Sequence, residues 1–219
     1  MGYLFVHRLG QRADSWDKTI AAMGDLEPVS CPELFSLLKD REYTYQGLYQ
    51  GFEQYCGDQP APVDLCGLSL GAVLALNYAA EHPERVRSLV LIAPQFKMPK
   101  GLLKLQDFLF RFMPERTFAE MGTTKCCFRG LTNSMKSLDF TGQLERIACP
   151  VLVLCGEKDK ANRKAAEKLS RTLKRAELHF VRRVGHEMNV EAPKELAKVL
   201  NDFYCGQRAA KNGGNGDEI

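Results

Sequence analysis

Apolar residues in this chain fall into short, dense runs, separated by longer segments in which they recur every three or four positions. Tyr3 to His7, Ala61 to Cys66, Val86 to Ala93, Val151 to Cys155 and Glu177 to Val181 are runs rich in Val, Leu and Ile, each closed by Gly, Pro or charged residues. Short apolar runs bounded in this way are the pattern of buried strands. Helical spacing lies between them. Leu70 to His82 is an Ala/Leu-rich segment stopped by Pro83, and Asn162 to Lys174 turns its Lys and Arg outward. Pro193 to Tyr204 brings Leu196, Val199, Leu200 and Phe203 to one face, and Tyr43 to Tyr55 is a weaker fourth helix. Strands that alternate with helices imply βαβ units, whose right-handed crossovers build a mostly parallel sheet with helices on both faces. The expected class is therefore α/β, with function at the carboxyl ends of the strands.

The alternation breaks between Phe96 and about Gln143, a stretch too long for a simple connection. It has its own apolar pattern at Leu102, Leu103, Leu105, Phe108, Leu109, Phe112 and Met113. Residues 97–143 are expected to form a small helical cap inserted over the strand ends of a single domain spanning residues 1–206. Beyond it, residues 207–219 contain Asn-Gly-Gly-Asn-Gly and almost no large apolar residue, so a disordered tail is expected.

Composition narrows the function. With 45% hydrophobic and 26% charged residues in 219, the chain has the make-up of an ordinary globular protein. Thirty basic residues against 27 acidic give +3 without any basic run, which argues against a nucleic-acid partner. No apolar run approaches the ~20 residues of a membrane span. The eight cysteines show no C-x-x-C spacing and several sit inside apolar runs. Buried free thiols and a cytoplasmic location are expected, no basic leader being visible at the N-terminus. Neither a metal-ligand cluster nor a Gly-rich phosphate loop is visible, so no metal and no cofactor are expected.

One motif carries chemistry. The run ending at Cys66 passes into Gly67-Leu68-Ser69-Leu70-Gly71-Ala72, and a helix follows at once. A G-x-S-x-G between strand and helix forces its serine into a strained turn that exposes Oγ beside a helix N-terminus, where developing negative charge is favoured. A serine hydroxyl needs a general base in reach, and there are only four histidines.

At this point the chain resembles the α/β-hydrolase superfamily. The stretch Asn77-Tyr78-Ala79-Ala80-Glu81-His82-Pro83-Glu84-Arg85-Val86, followed by Leu89-Val90-Leu91-Ile92, is similar to the family's segment after the nucleophile. His7-Arg8-Leu9-Gly10-Gln11, with Ser15-Trp16 beyond, is similar to its His-Gly oxyanion segment, and Gly185-His186 matches its C-terminal Gly-His. The resemblance implies an α/β-hydrolase fold with a short cap. It further implies a Ser-acid-His chain order, in which Ser69 is the nucleophile, His186 the base and Asp159, after the Val151 run, the acid. Glu157 on the same turn is the alternative acid.

By the same resemblance the oxyanion hole uses the backbone N–H groups of Leu9 and Leu70. The family's usual His-Gly is here His7-Arg8. Either the loop reaches the same geometry without that Gly, or the hole is altered, or Arg8 binds an anionic group on the substrate; the last is favoured. Phe108 and Phe112, with Leu105, Leu109, Phe110 and Met113, are the candidate lining of an acyl pocket. The implied activity is hydrolysis of an ester, thioester or related acyl bond in a small molecule through an acyl-enzyme. Acyl transfer, lactone opening, carbon–carbon cleavage or a receptor-like role remain alternatives.

Overall fold

The computed structural model describes residues 2–213. Six strands, β1 (Tyr3–Val6), β2 (Val29–Ser30), β3 (Val63–Leu68), β4 (Val86–Ile92), β5 (Val151–Gly156) and β6 (Ala176–Val181), form one sheet. Their order is β2-β1-β3-β4-β5-β6, and every neighbouring pair is parallel. The helices are α1 (Asp17–Met23), α2 (Tyr45–Gly57), α3 (Leu70–Glu81), α4 (Lys100–Phe112), α5 (Glu115–Glu120), α6 (Lys125–Ser134), α7 (Lys160–Thr172), α8 (Met188–Glu191) and α9 (Pro193–Gly213).

The sheet is buried on both sides because its strands are apolar at successive positions. Leu4, Val6 and Leu65 pack into the core shared with α2, α3 and α7, while Tyr3, Phe5, Cys66 and Leu68 pack toward α1 and α9. Phe5 is fully buried and its ring lies 5.2 Å from that of Trp16. Each such large apolar side chain contributes about 1.5–3 kcal/mol on burial. β6 alternates half-buried and exposed residues, as an edge strand should, and His179 sits there beside Glu177 at 3.7 Å. The order in which strands are laid down reverses at β1: β2 lies on one side of it and β3 on the other, all running parallel. The turns after β1 and β3 thus meet at a topological switch point, the crevice where open sheets of this kind hold their ligands.

Five strands were expected and six are present. β2 is two residues long between Pro28 and Pro32, pairing Val29 with Tyr3 and Ser30 with Leu4, too short to leave a pattern. Helix α1 was likewise not anticipated, being only seven residues long. The expected tail needs correction. Helix α9 continues to Gly213, and Arg208 donates to the Tyr3 hydroxyl with its guanidinium 5.9 Å from the ring centre, so the stretch beginning at Gln207 is helical as far as it is described. Residues 214–219 lie outside the described residues.

The segment that breaks the alternation folds as α4, α5 and α6. Phe110, Phe118 and Phe128 join edge to face there, with ring centres 5.0–6.5 Å apart. Arg129 of α6 holds the buried Asp107 of α4 at 2.8 Å, and that guanidinium keeps the Asp107 carboxyl below the usual carboxylate range. The side chains of Leu102, Leu103 and Leu105 lie outside the described residues.

Candidate active site

Ser69 stands between β3 and α3 with φ 56° and ψ −109°, a left-handed backbone that a non-glycine residue adopts only where its surroundings enforce it. The enforcement is visible at its flanks. A Cβ on Gly67 would stand 2.2 Å from the Gly71 carbonyl oxygen, and one on Gly71 would stand 2.2 Å from that of Val6. Both glycines are therefore required by close approach, of strand to helix and of helix to β1. Ser69 N–H donates to Ile92 at 2.9 Å, which anchors the turn to β4. Leu70 opens α3, so its N–H is one of those that a helix start leaves without an intrahelical partner.

Asp159 follows β5 as the N-cap of α7, its side chain accepting from the Asn162 N–H at 3.3 Å. His186 lies on the loop between β6 and α8, and its Nδ1 is 2.8 Å from Asp159 Oδ2. Asn162 Nδ2 spans the pair, donating to Asp159 Oδ1 and Oδ2 at 2.9 and 2.8 Å and standing 3.2 Å from His186 Nδ1. Asn162 Oδ1 in turn accepts from Gln95 Nε2 at 2.8 Å. Burial works against the Asp159 carboxylate, but the hydrogen bonds from His186 and Asn162 outweigh it, and its pKa falls below the usual value. Glu157, the alternative acid, is exposed and instead accepts from the N–H of Arg183, the left-handed residue (φ 61°) of the turn after β6.

Ser69, Asp159, His186, Leu9, Leu70 and Arg8 all line one cavity of about 430 Å³. Its apolar wall comes from both layers of the protein: Val73 from α3, Met98 before α4, and Phe110, Met121, Phe128 and Met135 from the segment above. Phe110 rather than Phe108 or Phe112 reaches this cavity. The latter two are 55% and 73% exposed on the outer face of α4, with Leu109 54% exposed beside them, because residues two apart on a helix point about 200° from one another. Met113 is half-buried and outside the cavity lining.

The loop after β1 is held by His7 and Arg8. His7 is buried; its Nδ1 pairs with the Arg8 carbonyl at 2.9 Å and its Nε2 accepts from Leu34 N–H at 3.3 Å. Burial lowers its pKa, which keeps the ring neutral. Gly10 supplies the left-handed residue of this loop (φ 85°), and Arg8 is not among the positive-φ positions, so Arg at position 8 requires no strained backbone. The Arg8 guanidinium donates to Leu9 O at 2.7 Å and pairs with Glu187, the neighbour of His186. The expected anion receptor thus already has a carboxylate partner from its own chain.

Asn162, Glu187, Asn189 and Glu191 support the loops, and sequence reading did not find them. Glu191 accepts from the N–H groups of Gly185 and Glu187 at 2.7 and 3.0 Å, gripping the loop on both sides of His186. Asn189, fully buried, exchanges hydrogen bonds with Gln11 at 3.1 and 3.2 Å and donates to Ser15, while Glu187 also meets Gln11. Only Asn162 had a local signal, the D-x-x-N spacing of a helix N-cap. Burial pushes the thiols of Cys31 and Cys155 up to about 12, so neither competes as a nucleophile. Away from the cavity, Glu53, Glu81 and His82 bring potential ligand atoms within 4.8 Å of one another, a cluster that sequence spacing did not reveal. His82 Nε2 pairs with Glu53 at 2.8 Å and Tyr49 donates to Glu81 at 2.7 Å, so protein partners account for it.

A parallel sheet with a strained serine turn at its switch point, and an Asp-His pair across the same cavity, defines a hydrolase class of α/β protein. The family model for the Alpha/beta hydrolase family matches residues 4–199, and the chain belongs to that family. It is 28% identical over 178 residues, 64% of this chain and 65% of the other, to a Bacillus subtilis (strain 168) protein provisionally named 2-succinyl-6-hydroxy-2,4-cyclohexadiene-1-carboxylate synthase. It is also 28% identical over 184 residues to the pimeloyl-[acyl-carrier protein] methyl ester esterase of Neisseria meningitidis (strain H44/76), covering 67% of this chain and 70% of that enzyme. The chain thus spans about two thirds of the length of these relatives. Among solved structures, the esterase of Thermogutta terrifontis superposes with TM-score 0.75 at 18% identity, over 94% of this chain and 90% of that one, a likeness of fold. Among the described residues no helix is long and apolar enough to cross a membrane.

Proposed function

We propose that this protein hydrolyses a carboxylic ester, thioester or related acyl bond of a small molecule through Ser69, His186 and Asp159. The observation that carries the reading is the 2.8 Å contact between His186 Nδ1 and Asp159, on the wall of the cavity that also holds the strained Ser69. In this reading His186 Nε2 takes the Ser69 proton as Oγ attacks the acyl carbon, and Asp159 stabilises the imidazolium that forms. The N–H groups of Leu9 and Leu70 receive the oxyanion. His186 then passes the proton to the departing alcohol or thiol, leaving an acyl-enzyme. Water enters, gives a proton to His186 and a hydroxyl to the acyl carbon, and frees the acid with Ser69 restored.

The cavity's Val, Met and Phe side chains suit an acyl chain, and methionine adapts its shape to irregular ligands. A cytoplasmic setting is part of the proposal, supported by buried thiols at Cys56, Cys66 and Cys155 that need no oxidising compartment.

A fluorophosphonate probe tests the proposal. Labelling at Ser69 is expected, together with turnover of p-nitrophenyl esters, and Ser69→Ala should abolish both. His186→Ala should cost nearly as much, since triad members act as a unit. Labelling elsewhere, or unchanged turnover by Ser69→Ala, would refute it. Absence of both labelling and turnover in the wild type would favour a receptor-like role.

A further inference from the structure

We propose that the outer face of α4 is a docking surface for anionic lipid, which holds the roof of the cavity against a bilayer. Five large apolar side chains are exposed among the described residues, and three of them, Phe108, Leu109 and Phe112, share two turns of this one helix. An apolar patch gathered at one place, rather than scattered, marks an interaction site. Phe108 and Phe112 pair edge to face with ring centres 5.2 Å apart, so the patch is preformed. The same helix sends Phe110 into the cavity from its opposite face and ties Asp107 to α6. Whatever holds the outer face therefore holds the roof of the site.

Charge selects the occupant. Residues 97–143 contain eight Lys and Arg against four Asp and Glu, so they outweigh the +3 of the entire chain and leave the remainder slightly acidic. On the same helix as the patch Arg111 is 58% exposed and shares the single carboxylate of Asp107 with Arg129, while Arg116 at the start of α5 is 88% exposed and pairs with Glu120 at 3.0 Å. Lys125 gives its ammonium to the carbonyls of Arg111 and Met113 rather than to a carboxylate. An apolar helical face bordered by excess cation is what binds in the interface of an anionic membrane, where apolar burial and attraction to headgroups add. A second copy of this chain fits less well. Two-fold pairing would set one basic cap against another, and three side chains cover far less than the ~1,200 Å² of a stable interface.

The inference extends the proposed hydrolase by naming an acyl chain drawn from a lipid surface as the source of substrate. Its test does not depend on turnover. Ser69→Ala protein is sedimented with vesicles of phosphatidylcholine alone and of phosphatidylcholine mixed with phosphatidylglycerol. Binding to the mixed vesicles is expected, about tenfold weaker on phosphatidylcholine alone and weakened by salt. In the same background Phe108→Ser/Phe112→Ser should reduce binding to mixed vesicles about tenfold or more with the thermal midpoint unchanged. Arg111→Gln/Arg116→Gln should reduce it several-fold, which keeps the test sound if the Phe variant fails to fold. Failure to bind mixed vesicles, equal binding to both vesicle types, or undiminished binding by folded variants overturns the inference. So does a wild-type dimer in sedimentation velocity that the Phe variant dissolves. Vesicle binding without probe labelling at Ser69 would instead leave the docking surface standing and remove the hydrolase.

Discussion

Position 8 shows how a single side chain can be misjudged until its partner is known. Beside the strained Ser69, an Arg in place of the expected Gly suggests an anion receptor, but its guanidinium pairs with Glu187 and so braces the loop after β1 against the loop of His186. Both side chains are partly exposed, which limits the strength of the pair to that of a surface ion pair. Glu187→Gln should free Arg8 to meet a carboxylate on the substrate. Relative to wild type, the ratio of kcat/KM for an anionic ester to that for a matched neutral ester should rise about two- to fivefold, the range that ~0.4–1 kcal/mol allows. Measuring both esters on both proteins checks this, and an unchanged ratio would leave Arg8 as a strut alone. The same scale shows why Asp159 and not Glu157 faces His186. The two are only two residues apart, but Asp159 is turned inward as the cap of α7 while Glu157 is spent on the Arg183 turn.

Between elements, the site depends on two loops from opposite ends of the chain. The loop after β1 and the short helix α8 are joined by Asn189, whose amide meets Gln11 and Ser15 and whose carbonyl accepts from the Thr19 hydroxyl at 3.2 Å. Asn189, Gln11 and Thr19 are buried and Ser15 is half-buried, so removal of the amide would leave the Gln11 side-chain oxygen without its partner while Gln11 Nε2 keeps Glu187. Asn189→Ala is expected to cost about 2–3 kcal/mol in urea denaturation, the penalty of a stranded buried polar group. Turnover at a temperature where the variant remains folded should also fall, since Leu9 and His186 lose their common brace. A loss below about 0.5 kcal/mol would mean that the loops hold themselves. Sequence periodicity located the five longer strands, the helices α3 and α7 and the start of α9 closely, but ended α9 nine residues short of Gly213. It missed β2 and α1, whose two and seven residues are too few to express a period, and it misjudged α4 by treating its whole apolar stripe as inward-facing.

Over the molecule as a whole, acid stability should carry the mark of the site. The Asp159 carboxyl titrates below its usual value in the folded chain, so its ionised form stabilises the fold above about pH 3.9. That contribution is lost as pH falls from there through the lower folded value. Asp159→Asn has no such carboxyl to protonate, so urea midpoints from pH 6 down to about pH 3 should decline less steeply than those of the wild type. Parallel declines would show that Asp159 is not held as its contacts imply.

What the sequence determined by itself was local: the apolar runs that make a doubly covered parallel sheet, and the glycines that shape a strained turn at Ser69. The family's motifs pointed to His186 and Asp159. These are readable because each depends on neighbours within a few positions or on a resemblance spanning the motif. Only the tertiary structure decided which side chains share the cavity, that Asn162 spans Asp159 and His186, that Glu187 occupies Arg8, and that Phe110 faces inward while Phe108 and Phe112 face out. Such contacts join residues as far apart as Arg8 and Glu187, and the direction of a helix face follows from the layer it packs on, which no local pattern records.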